Sequence, residues 1–230
     1  MGVTKKKEES RKKWTKVLAV IAGVLFVVLM VVSSLGTGWI TGLAGIKPGE
    51  TAVLDYTIYG AQGDPLITTN TQLYQQSAAQ GKVIILGKQI PVTANMTQTQ
   101  PIFPVQFYTQ STGWSKQYAL FNPEYDAISN GIVGMKVNEK KNIIIPSSGG
   151  MKQTWTAAQL IRNNVNITDI NVGDQLTMGV SDNPEAMASN SSAISYIRMG
   201  EVTNKNGEES VDVNFGYPSI DVSVVSITTR

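Results

Sequence analysis

The sequence predicts an α+β fold with a small β-rich inserted domain, preceded by one transmembrane helix. Three observations carry that prediction. Residues Val17 to Val32 contain no charge and follow a strongly basic start. Segments 51–59 and 219–227 alternate apolar and polar residues, as half-buried strands do. Between them, 122–146 reads as a short helix, a glycine stop, a charged turn and a β-branched strand in unbroken succession.

Taken in order, residues 1–16 form a basic cytoplasmic tail holding seven of the nineteen Lys and Arg residues beside two acids, Glu8 and Glu9. The rest has 12 basic against 15 acidic residues, a net charge of −3. It therefore lacks the basic footprint that nucleic-acid binding requires, and no nucleic-acid partner is expected. Residues 17–39 are uncharged and long enough to span the hydrocarbon core with some tilt, with Trp14 and Trp39 at interfacial positions. Basic residues before the span and few just after it place the amino end in the cytoplasm and the folded part outside the cell membrane, a single-pass anchor. A cleavable signal peptide shares the basic start and apolar centre, with Val32-Ser33-Ser34 as its cleavage site, but the long apolar run favours a retained anchor. Residues 40–45 read as a linker.

The folded part begins at 46. Ala52, Leu54 and Tyr56 share one face of the opening strand, and 60–65 form a turn. Residues 71–121, rich in Gln, Thr and Ser, are too many for a structureless loop, so an added hairpin or small subdomain is expected there. Its aromatics Phe103, Phe107, Tyr108, Trp114, Tyr118 and Phe121 either close a core of its own or offer a surface to partner chains. Asn122 is expected to cap the next helix and Pro123 to fill its first turn, with Tyr125, Ile128 and Ile132 on one side, Gly134 at the end and Asn138-Glu139 turning the chain. Ser147-Ser-Gly-Gly150 marks a boundary, and 147–213 reads as a short helix followed by strands. In the last strand Ile220, Val222 and Val224 share a face, and Val225 and Ile227 continue after a change of phase.

The chain has no Cys and no His. That excludes disulfides, thiolate or imidazole catalysis and His- or Cys-ligated metals, and no EF-hand, P-loop, G-x-G-x-x-G or G-x-S-x-G spacing occurs. No metal or cofactor is expected. Asn95, Asn166 and Asn190 head Asn-x-Ser/Thr sequons and are glycan acceptors if the domain lies outside.

The run Gly-Ile-Val-Gly-Met-Lys-Val-Asn-Glu-Lys-Lys-Asn-Ile-Ile-Ile-Pro at 131–146 resembles the FKBP-type peptidyl-prolyl isomerases, as do the strands at 46–59 and 219–227. Segments Ile170 to Met178 and Val211 to Pro218 resemble the insert-in-flap chaperone domain of SlyD-type members. The resemblance implies a curved antiparallel sheet with a short helix from 46–146 and 214–230, and an inserted domain at 147–213. It implies prolyl isomerisation of unfolded or proline-containing polypeptide clients. Tyr56, Tyr125 and Ile128 take the catalytic positions, with the Tyr125 N–H as donor, and Leu66, Ile67 and Ile220 line the pocket. This chemistry twists an amide with a barrier of about 20 kcal/mol and needs no titrating group. Aliphatic walls where relatives have aromatics imply weak activity. The alternative is a non-catalytic holdase or surface-complex binding protein on the same fold.

Overall fold

The computed structural model describes residues 3–34, 45–146, 148–181 and 195–228. They belong to two compact units, 1–44 and 45–230. The first contains helix α1, Val3–Ser34, uncharged from Val17 to its end. Those eighteen residues extend about 27 Å at about 1.5 Å each, just short of the ~30 Å hydrocarbon core. Among the described residues no helix is long and apolar enough to cross a membrane. The rest of the expected span, 35–39, and linker residues 40–44 lie outside the described residues.

The second unit is mixed α+β, with two six-stranded sheets. In the first, β1 (Thr51–Tyr59), β2 (Pro65–Thr68), β3 (Ile85–Leu86), β7 (Lys140–Ile144) and β12 (Ser219–Thr228) run in the order β3-β2-β1-β12-β7, and β4 (Ile90–Thr93) pairs with the first half of β1. The alternation expected in β1 holds, with Ala52, Leu54, Tyr56 and Ile58 buried. The phase change expected in β12 is a bulge. Val53 pairs with Ser226 and Leu54 with Val224, so Val225 is left over and faces out.

Helix α3, Asn122–Gly131, lies against this sheet through Tyr125 and Ile128. Gly131 permits the approach, since a Cβ there would come within 2.6 Å of Ile143 Cδ1. Ser129 fastens the other side, donating to Thr93 O (2.7 Å) and accepting from Met96 N (2.8 Å). The N-cap is Phe121, not Asn122, and the Phe121 N–H donates to the Glu124 carboxylate at 2.8 Å. Gly134 follows with φ +82° and donates to Ile46 O, and Asn138 at φ +65° lies within the expected turn.

The second sheet joins segments distant in sequence. Its strands are β5 (Ile102–Thr109), β6 (Gly113–Phe121), β8 (Lys152–Thr156), β9 (Gln175–Ser181), β10 (Ser195–Asn206) and β11 (Ser210–Asn214), ordered β5-β6-β10-β11-β8 with β9 also on β10. The 71–121 insertion thus supplies helix α2 (Thr71–Ala79), two short strands of the first sheet and a hairpin of the second. Its aromatics do not close a core of their own. Phe107 and Tyr118 enter the main core with Phe103 against it, while Tyr108 and Trp114 pair edge to face in partial exposure near the hairpin tip. A smaller core forms around Leu160 of helix α4 (Ala157–Arg162) with Val202, Val211, Val213 and Phe215.

Candidate functional site

The six residues expected around a proline pocket converge from β1, β2, α3 and β12 in one apolar cluster. They converge as filled core. Tyr125 is 4 % exposed, Tyr56 3 %, and Leu66, Ile67, Ile128 and Ile220 no more than 1 %. Alternation in β1 turns Tyr56 inward, helical spacing sets Tyr125 and Ile128 on one side of α3, and the β12 bulge lies beyond Ile220, leaving its inward orientation intact.

The cover comes from the insertion. Gly87 donates to Thr68 O at 2.8 Å and sits directly on the Tyr56 hydroxyl, where no side chain would fit. Gly87 also bridges to Phe107, and Lys88 N donates to Gln106 O at 2.8 Å, fixing the segment alongside β5. The Phe103 ring lies 4.9 Å from that of Tyr125. Tyr125 OH accepts a long bond from Thr93 N at 3.4 Å. As the fourth residue after Phe121, Tyr125 directs its N–H to the carbonyl of the N-cap, so the expected donor closes the first helical turn instead.

Among the described residues of this core, one polar side-chain atom lacks a partner. The Tyr56 hydroxyl is buried without a hydrogen bond, and burial, with Tyr118 nearby, holds its pKa far above the usual phenol range. An unpaired buried hydroxyl costs about 1–3 kcal/mol.

The polar centre of the unit is one that the sequence did not reveal. Arg198 on β10 is fully buried and uses all five N–H bonds. Nη1 donates to Ala119 O and Glu124 Oε2, each at 2.8 Å, Nε to Phe215 O at 2.9 Å, and Nη2 to Glu124 Oε1 and Phe215 O. The guanidinium is sandwiched 4.2 Å from the Phe121 ring and 4.1 Å from that of Tyr217. Burial opposes its charge, but the Tyr217 hydroxyl and Glu124 outweigh burial and keep it protonated. Tyr217 OH donates to Met199 O at 2.7 Å and also meets Tyr118 OH. This constellation locks β6, α3, β10 and the β11–β12 connection together. Having no open face, it is structural.

An open cleft of about 510 Å³, to whose lining Tyr56 also contributes, is bounded by residues that include Tyr59, Asn70, Leu73, Lys140, Asn142 and Asp221. There Tyr59 OH donates to Asp221 Oδ2 at 3.0 Å and Asn142 Nδ2 to Asp221 Oδ1 at 2.7 Å. Desolvation, and then the Asp221 carboxylate, push the Tyr59 hydroxyl up to about 12. Among the described residues no group of three or more acidic side chains could hold a metal ion. Of the sequon residues, Asn95 is exposed at φ +55°, Asn166 is exposed and its Oδ1 accepts from Thr168 N at 3.2 Å, and Asn190 lies outside the described residues. No family model matches the chain, and no curated protein matches it.

Proposed function

We propose that the chain is a membrane-anchored, outward-facing polypeptide-binding protein on an FKBP-like scaffold, one that holds clients without isomerising them. The observation that carries this reading is the closure of the expected pocket. All six positions are at most 4 % exposed, and residues 87–107 of the same chain lie against Tyr56, Ile67 and Tyr125, so these positions form filled core in place of an open proline pocket. The scaffold reading draws support from connectivity. Strand β12 lies between β1 and β7, α3 packs on the first sheet, and the 147–213 segment falls between β7 and β12. Client holding draws support from the thin second core, where Met151, Trp155, Leu176 and Met178 are only partly buried and Ile161 is 64 % exposed. Methionines on such a surface adapt to varied apolar segments. The anchor is supported by the uncharged run from Val17 to Trp39.

The unpaired Tyr56 hydroxyl favours a second reading. If residues 85–93 moved aside, a substrate carbonyl could accept from it, restoring an isomerase. The two readings separate in one experiment with the full chain in detergent micelles. A proline-limited protein is refolded while aggregation of an unfolded client is followed in parallel. Suppressed aggregation with an unchanged slow phase is expected. Acceleration of the slow phase that is lost in Tyr56→Phe would establish the isomerase instead, and absence of both effects would remove both readings.

A further inference from the structure

Glu124 and Glu201 are both buried, at 3 % and 2 % exposed, but only one is neutralised. Glu124 meets Arg198. Among the described residues, Glu201, on β10, has no cation paired with it. Its Oε2 accepts from Gln62 N at 3.2 Å in the β1–β2 connection, and lies where a Cβ on Gly60 would come within 2.6 Å. Its Oε1 is buried with no donor. Gln175, its register partner on β9, also presents a buried Oε1 with no donor, and cross-strand partners lie on the same face of a sheet.

The surrounding groups do not supply the missing charge. Asn214, the partner on β11, uses Oδ1 to accept from Gly216 N at 3.0 Å. Asp64 adds a second negative charge from the β1–β2 connection and is itself paired with Lys82 at 2.6 Å. The basic residues of β10 bond elsewhere, Arg198 with Glu124 and Lys205 with Ile170 O at 2.7 Å. Two buried acceptors on one face of the sheet, each without a donor, can both be satisfied by one shared proton.

We propose that Glu201 is protonated in the folded protein and donates from Oε1 to Gln175 Oε1, forming a pH-sensitive latch between the β1–β2 connection and the second sheet. Desolvation, against the opposing N–H bonds from Gln62 and Ala61, together with Asp64, holds this carboxyl above the ordinary range. A raised folded value means that the latch stabilises the fold fully at acid pH, below the unfolded carboxyl's value. The contribution is lost as pH rises through the folded value.

The test compares the full chain with Glu201→Gln in detergent micelles by thermal unfolding from acid to mildly alkaline pH. The two should coincide at the acid end, and the variant should melt about 2–4 °C higher at the alkaline end. A ¹³C-carboxyl NMR titration of Glu201, assigned through its own side-chain bonds in the wild-type chain, needs no variant and should give a midpoint above the ordinary carboxylate range. Three results would overturn the latch. One is a melting difference that does not change with pH. Another is an ordinary midpoint, as when the Gln175 amide turns its Nε2 toward an ionised Glu201. The third is a rise in wild-type melting temperature on adding millimolar Ca²⁺ that the variant lacks, which would put a cation on these oxygens instead.

Discussion

Replacing Arg198 by Met removes the guanidinium while nearly keeping the length of the side chain. Glu124 is then left in the core with only the Phe121 N–H donating to it among the described residues, and the carbonyls of Ala119 and Phe215 lose the donors Arg198 gave them. Breaking one side of a buried ion pair costs about 3–5 kcal/mol, because the surviving charge is uncompensated. For a chain of this size about 1 kcal/mol moves the melting temperature by about 2–4 °C, so Arg198→Met should melt about 6–20 °C below wild type. The double variant Arg198→Met/Glu124→Gln removes the stranded charge, keeps an acceptor for Phe121 N and should recover at least half of that loss. Thermal unfolding followed by near-UV circular dichroism reads both. A single variant within about 2 °C of wild type, or a double variant less stable than the single, would refute the argument that charge compensation holds α3 to the second sheet.

Tyr56→Phe removes a buried hydroxyl that has no partner and should raise stability by about 1 kcal/mol; a loss of that size would mean that the hydroxyl has a hydrogen-bond partner in solution. Gly200→Ala should destabilise by about 1–3 kcal/mol in the same unfolding assay, since its Cβ would come within 2.5 Å of the Phe215 ring and 2.7 Å of Val213; an unchanged melting temperature would show that the ring can move aside. For the anchor, protease added to intact cells should degrade the 45–230 unit and spare the amino-terminal tail, and full protection until lysis would reverse the orientation.

What the sequence made legible was local. The inward residues of β1 and β12, the helix at 122–131 and the turn at Asn138 follow from spacing within a dozen residues, and each appears in the structure close to its expected place. The helix cap was misread for a related reason. Asn122 has the right side chain, but the chain enters the helix one residue earlier because Glu124 accepts from Phe121 N while gripping Arg198, 74 residues away. Long-range pairing decided the fate of the pocket as well. Nothing in the composition of 71–121 shows that Gly87 will rest on Tyr56 or that the Phe103 ring will lie against Tyr125, since both depend on the β4 and β5 pairings. The same residues that resemble a binding pocket are therefore, in the folded chain, part of its buried core.

The β5–β6 hairpin borrows its neighbour from far downstream, with Tyr118 pairing with Ile197. A chain made from its amino end therefore displays β6 with an open edge, and Glu124 without its counter-charge, until β10 has been synthesised. Contacts of such sequence separation form late, and their unpaired intermediates are prone to aggregate. The long-range strand pair thus makes the order of synthesis part of how the fold is reached.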